Sequence, residues 1–190
     1  MKGYISQFIR VSRWLLLTVC ISLLVINFVG VDIKAAVGAE APKTVTFYGG
    51  GTSPISSAVA VPSDQAYYWT SGTVPPVIDS DAPPQTRDRY GDTKTQAIGI
   101  LERFETLLQE TGLTLADVVY LRAYLVADPV LDNRVDFQGW FDAYAQFFNN
   151  ENNPTKVARS TVAVAGLVDP GWLIEIEAVA VYPKSSASGE

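Results

Sequence analysis

Trp172-Leu-Ile-Glu-Ile-Glu-Ala-Val-Ala-Val-Tyr182, near the C-terminal end, sets the architecture of the whole domain. Alternation at period two makes it a strand, with Leu173, Val179 and Val181 on one face and Trp172, Ile174, Ile176, Ala178 and Ala180 on the other. Glu175 and Glu177, two residues apart, share the first face. Both faces are largely apolar, so both need cover. Upstream, Ala158 to Ala165 is a second strand, joined to the first around Val168-Asp169-Pro170-Gly171 and read with it as the last hairpin.

Working further outward, Asn133 to Asn149 has helical spacing, with Phe137, Trp140, Phe141, Tyr144, Phe147 and Phe148 forming a broad aromatic stripe. Val118 to Ala127 is rich in β-formers, with Val119, Leu121, Ala123 and Leu125 on one face and Arg122 on the other. Before it, Ala97, Ile100, Leu101, Phe104, Leu107 and Leu108 mark an amphipathic helix. Thr93 and Gln96 have capping-box spacing at its start, and Gly112 stands where a C′ glycine belongs. Thr73 to Tyr90, with four prolines, is a loop. Ser57 to Val61 and Ala66 to Ser71 flank the turn signal Pro62-Ser63-Asp64 as a hairpin, and Thr44 to Tyr48 is a strand ended by three glycines.

The order β, β, β, α, β, α, β, β predicts an α+β fold: a mixed sheet with two helices packed on one face. Two helices cover only one side, so oligomerisation through the other is the cheapest resolution.

The chain has 190 residues, no histidine and a single cysteine, Cys20. That excludes Ser-His-Asp and Cys-His nucleophiles, His-ligated zinc and cysteine zinc ribbons. Lys2, Arg10 and Arg13 precede an uncharged apolar run, Trp14 to Val31, and a small-residue stretch, Ala35 to Ala41. This is the pattern of a secretory signal peptide over residues 1–39, with an uncleaved N-terminal membrane anchor as the alternative. Cleavage after Ala39 or Ala41 fits. The domain proper is residues 42–190, and the expected location is periplasmic or otherwise extracytoplasmic. Residues 1–39 hold four of the 14 basic and one of the 20 acidic residues, so the remainder has a net charge of −9. So acidic a body disfavours nucleic acid as a partner. The membrane is a partner only through the N-terminal segment if it is uncleaved.

Gly49-Gly50-Gly51-Thr52-Ser53 lacks the following Lys-Ser/Thr of a phosphate loop. The polar residues that need an explanation are Arg159, opening one strand, and Glu175 and Glu177, interrupting the other. Carboxylates on a partly apolar strand are costly unless paired, and a guanidinium is the natural partner. One reading is a structural Arg–Glu cross-strand pair, or charges that protect a sheet edge. The other is a site in which Arg159 holds a substrate carboxylate in a fork while a glutamate handles a proton or water.

Four segments in series, Thr70-Ser-Gly-Thr-Val-Pro75, Gly112 with Asp117-Val-Val119, Ala158-Arg-Ser160 and Ile174-Glu-Ile-Glu-Ala-Val-Ala180, resemble the RidA (YjgF-like) family of reactive intermediate deaminases. The similarity runs from about Ser53 to Pro183, and its Ser53–Pro62 start and Asp169-Pro-Gly171 turn resemble an exported subgroup. The resemblance implies a RidA/chorismate-mutase-like fold: a mixed six-stranded sheet with two helices on one face, assembled as a homotrimer with ligand clefts between subunits. It implies hydrolysis of enamine/imine intermediates of the 2-aminoacrylate type to 2-oxo acids and ammonia, with no metal or organic cofactor. By the same resemblance Arg159 binds the substrate carboxylate, Glu175 positions water, and Ser71 and Gly72 line the cleft. Two positions depart from the family pattern. No tyrosine stands near Ser56, Ser57 and Ala58, and the second helix has Gln138 or Phe141 where the family commonly has asparagine. A second function follows from these departures: a non-catalytic module that binds small carboxylates.

Overall fold

A computed structural model describes residues 40–49 and 51–184. The predicted signal or anchor segment, residues 1–39, lies outside the described residues. Eight strands and three helices follow in chain order: β1 (Thr46–Tyr48), β2 (Ala58–Ala60), β3 (Tyr67–Trp69), α1 (Arg87–Tyr90), α2 (Thr93–Gln109), β4 (Val118–Leu125), β5 (Ala127–Asp128), β6 (Arg134–Val135), α3 (Phe137–Phe147), β7 (Ala158–Ala163) and β8 (Ile174–Val181). The expected mixed α+β sheet with helices on one face is what forms.

The strands divide differently from the six-in-one expectation. The main sheet has four, in the order β3-β8-β4-β7, and β1-β2 and β5-β6 form separate two-stranded ribbons. β8 runs antiparallel to both β3 and β4, whereas β7 is parallel to β4. Two expected hairpins are therefore replaced. β2 pairs with β1, and β3 with β8. β7 and β8 do not pair, because β4 lies between them. The physical reason is that β8, apolar on both sides, is best buried in the sheet interior, with a neighbour on each edge.

The helix ends follow the sequence reading with two changes. The side chain of Asp92, not of Thr93, caps α2 by accepting from Thr95 N at 2.8 Å. Gln96 is freed from capping and ties two segments together. Its Nε2 donates to the carbonyls of Gly91 and Gly171, and its Oε1 accepts from Leu173 N at 2.7 Å, just before β8 begins. Gly112, at φ 76°, closes the helix as expected: Leu113 N donates to Leu108 O and Gly112 N to Gln109 O. The second predicted helix loses its first residues to the β5-β6 ribbon, where Asp132 and Asn133 both turn at φ 55°. Asp136 then caps α3 at Gly139 N.

Ile100, Leu101, Phe104 and Leu108 of α2 and Trp140, Tyr144 and Phe148 from α3 meet Leu121, Leu125, Ile174 and Ile176 of the sheet in one buried core. Each such aliphatic side chain contributes about 1.5–3 kcal/mol by leaving water. A bulge between Val118 and Tyr120 turns Val119 away from this core. Val119, expected beside Leu121, packs instead with Val179 and Val181 on the opposite face. There Val45, Val59 and Val61 lie against them, so the β1-β2 ribbon covers part of the second face from within the chain. The rest of that face is open, with Trp69 70% exposed and Tyr67 47% exposed.

Candidate functional site

Arg159 sits on β7, in register with Leu121 of β4, and so faces the helix layer. The edge position of β7 leaves it half-buried rather than sealed. Its guanidinium carbon lies 4.4 Å from the Tyr144 ring centroid, 4.8 Å from Phe141 and 5.2 Å from Trp140. Three π-faces stabilise the cation and fix its plane. Nη1 is buried and has no hydrogen-bond partner. Among the described residues Arg159 makes no ion pair. Burial lowers its pKa from the ordinary value, partly opposed by Tyr144, yet an arginine stays charged. Burial also raises the Tyr144 phenol. A guanidinium oriented in this way without an acidic partner is a candidate to take an anion.

Glu175 stands on the other face of the sheet. It is in register with Tyr124, and Glu177 with Arg122, while Ile174 and Ile176 between them enter the helix-side core. Glu177 is engaged: its Oε2 is 3.4 Å from Arg122 Nη1 and accepts from Tyr124 Oη at 3.3 Å. The Glu175 carboxyl has its pKa raised, by burial first and by the Glu177 charge second.

Gly72, next to Ser71, meets Glu175 directly. Thr70 N donates to Ala178 O at 3.0 Å, and Thr73 N to Ile176 O at 2.8 Å. Ser71 and Gly72 thus oppose a single residue, Glu177, as a bulge beyond β3. Both are exposed. A Cβ on Gly72 would overlap Oε1 of Glu175 and lie 2.7 Å from its Cδ. Only glycine leaves the carboxylate its place.

One chain therefore brings Glu175, Ser71 and Gly72 together and leaves Arg159 apart from them. β4 separates Arg159 from Glu175, and the two side chains leave opposite faces of the sheet. The structural reading of a closed Arg159–Glu175 pair is thereby corrected: their strands are not neighbours. The Arg–Glu pair that does form across strands is Arg122–Glu177. The residues that the sequence did not single out for the site are the rings around Arg159, seen there only as part of an aromatic stripe. Their signal was available: Trp140, Tyr144 and Phe148 form one helical row, and Phe137 and Phe141 another. A cleft of about 280 Å³ between β1 and the sheet, lined by Val45, Phe47, Gln65, Val119 and Val181 among others, touches none of these residues.

A family model described as Endoribonuclease L-PSP matches residues 52–182. A RutC family protein of Pyrococcus abyssi is 31% identical over 142 residues, covering 74% of this chain and 91% of that protein. Another, from Haemophilus influenzae, is 34% identical over 113 residues, covering 59% and 76%. Among solved structures, YyfB of Yersinia pestis, titled a protein of unknown function of the conserved Rid family, matches with a TM-score of 0.51 at 26% identity. It covers 76% of this chain and 97% of that one. The chain belongs to the Endoribonuclease L-PSP family, with RutC and Rid family proteins among its relatives.

Proposed function

We propose that this protein hydrolyses reactive 2-imino acids, reached from enamines of the 2-aminoacrylate type, to 2-oxo acids and ammonia. The observation that carries the reading is Arg159, a charged group held among three rings with no counter-ion among the described residues. Its complement is a small carboxylate. The resemblance of its motifs to the reactive intermediate deaminases supports the same reaction class.

In this reading the clefts form between copies in a homotrimer. One subunit supplies Arg159, and its neighbour supplies Glu175 with Ser71 and Gly72. The opposite facing of the two groups within one chain, and the open aromatic face around Trp69, support that arrangement. Arg159 grips the carboxylate. The enamine gains a proton at C3 and loses one from nitrogen, giving the imine. Glu175 accepts a hydrogen bond from a water, whose oxygen bonds to C2 while the C–N π bond opens and one of the water's protons passes to nitrogen, giving the 2-amino-2-hydroxy acid. Transfer of the remaining hydroxyl proton to nitrogen forms the C=O bond and breaks the C–N bond, leaving the 2-oxo acid and ammonia. No step calls on a metal or cofactor.

The test is ammonia release from imines generated in situ by an amino-acid oxidase. Full-length protein should accelerate release well above the oxidase alone, and Arg159→Ala should abolish the gain. Equal rates for the two would overturn the enzyme.

A second reading, a binding module without turnover, is favoured by Phe141, whose ring stands over Arg159 in the helix where an asparagine is common in the family. Calorimetric titration with 2-oxo acids separates the two: saturable binding that needs Arg159, without ammonia release, would support the module.

A further inference from the structure

The aromatic row of α3 splits into two parts with different fates. Trp140, Tyr144 and Phe148 turn inward and are almost fully buried. Phe137 and Phe141, one turn apart, stay 39% and 38% exposed and stack at 6.4 Å with an interplanar angle of 30°. Two exposed phenylalanines side by side lose hydrophobic stabilisation unless something covers them. Phe141 is also the ring 4.8 Å from the Arg159 guanidinium carbon. The unpaired cation thus closes one end of an exposed aromatic strip. The polar neighbours on the same helix do not compete: Gln138 Nε2 donates to Asp142 Oδ1 at 2.7 Å, and Asp142 lies 3.9 Å from Lys94.

We infer that Phe137 and Phe141 select the substrate side chain, and that the site takes 2-imino acids with branched aliphatic or aromatic side chains in preference to the three-carbon acid. This rests on Arg159 as the carboxylate holder proposed above. In a 2-imino acid the side chain leaves the carbon next to the carboxylate. Once the carboxylate is forked on Arg159, the side chain has the Phe141 and Phe137 faces within reach. A methyl group covers little of the strip, whereas an isobutyl or benzyl group covers both rings. Asp142, adjacent to Phe141, disfavours an acidic side chain at the same place.

The experiment uses full-length protein with two readouts. Calorimetry compares pyruvate, 4-methyl-2-oxopentanoate and phenylpyruvate as stable ligands. Ammonia release compares the imines that a D-amino-acid oxidase makes from D-alanine, D-leucine and D-phenylalanine. The two larger ligands should bind at least about tenfold more tightly than pyruvate, since each added methylene in an apolar site is worth about tenfold or more. Phe141→Asn and, independently, Phe137→Ala should each pull that ratio toward one, with folding checked by circular dichroism. A wild-type ratio of one or less, with pyruvate binding still dependent on Arg159, would overturn the side-chain selection and leave the proposed hydrolysis standing. A high ratio that falls in both variants, with no ammonia release, would support the selection and overturn the hydrolysis. No carboxylate binding to the wild type, or binding that Arg159→Ala leaves unchanged, would overturn both.

Discussion

Glu175 and Glu177 are chemically identical and two residues apart, yet the structure gives them different work. Glu177 has Arg122 and the Tyr124 hydroxyl within reach. Glu175 has the bulge at Gly72, partial burial and the charge of Glu177, which together raise its pKa. If ionised Glu175 holds the attacking water, activity falls as pH drops through that raised value. The acidic limb of kcat/KM then lies above the ordinary glutamate range of about 4.3. Glu177→Gln removes the like charge, so the limb should move to lower pH. A profile of kcat/KM against pH for both proteins checks this, and an upward or absent shift would argue that Glu177 does not tune Glu175.

Between single residues and the whole fold, the element that matters is the bulged segment Thr70–Thr73 running along β8. Its backbone is pinned on both sides of the bulge, so Ser71 and Gly72 cannot retreat. Gly72→Ala should therefore leave the backbone in place and displace the flexible end of Glu175. The expected result is a fall of about 100-fold in kcat/KM, the cost of misplacing a catalytic group by about an ångström, with little change in Tm. Activity assays and thermal melts measured together decide the point. A large loss of Tm would show that the glycine serves the sheet instead. α3 shows the same economy, since one row of rings builds the core while the other stands over Arg159.

At the scale of the molecule, the two halves of the candidate chemistry lie on opposite sides of one sheet, so a cleft that uses both must join two copies. A ring of such heterologous contacts has a distinctive genetic signature. Arg159→Ala and Glu175→Gln are each expected to be inactive. Co-expressed in equal amounts, they should form mixed rings in which about one quarter of the clefts pair a native arginine with a native glutamate. Recovery of activity on co-expression, with light scattering giving a trimer, is the expected outcome. No recovery from mixed oligomers would place the working residues within a single subunit.

The local alternation of Trp172–Tyr182 and the helical spacing of Ala97–Leu108 were enough to specify the elements, because each depends on neighbours a few residues away. Gly112 closes α2 as its position predicts, and Arg159 and Glu175 stand out as costly polar residues in apolar strands. Their partners were not legible, since strand pairing is non-local. Placing β4 between β7 and β8 dissolved the expected hairpin, and one bulged residue moved Val119 to the other face. The same pairing put Arg159 and Glu175 on opposite sides of the sheet. Local spacing in the sequence specified which segments fold as strand or helix and singled out Arg159 and Glu175 as polar residues that need an explanation. Which groups meet was settled by the tertiary fold, because sheet order and side-chain facing are set by burying β8 on both faces.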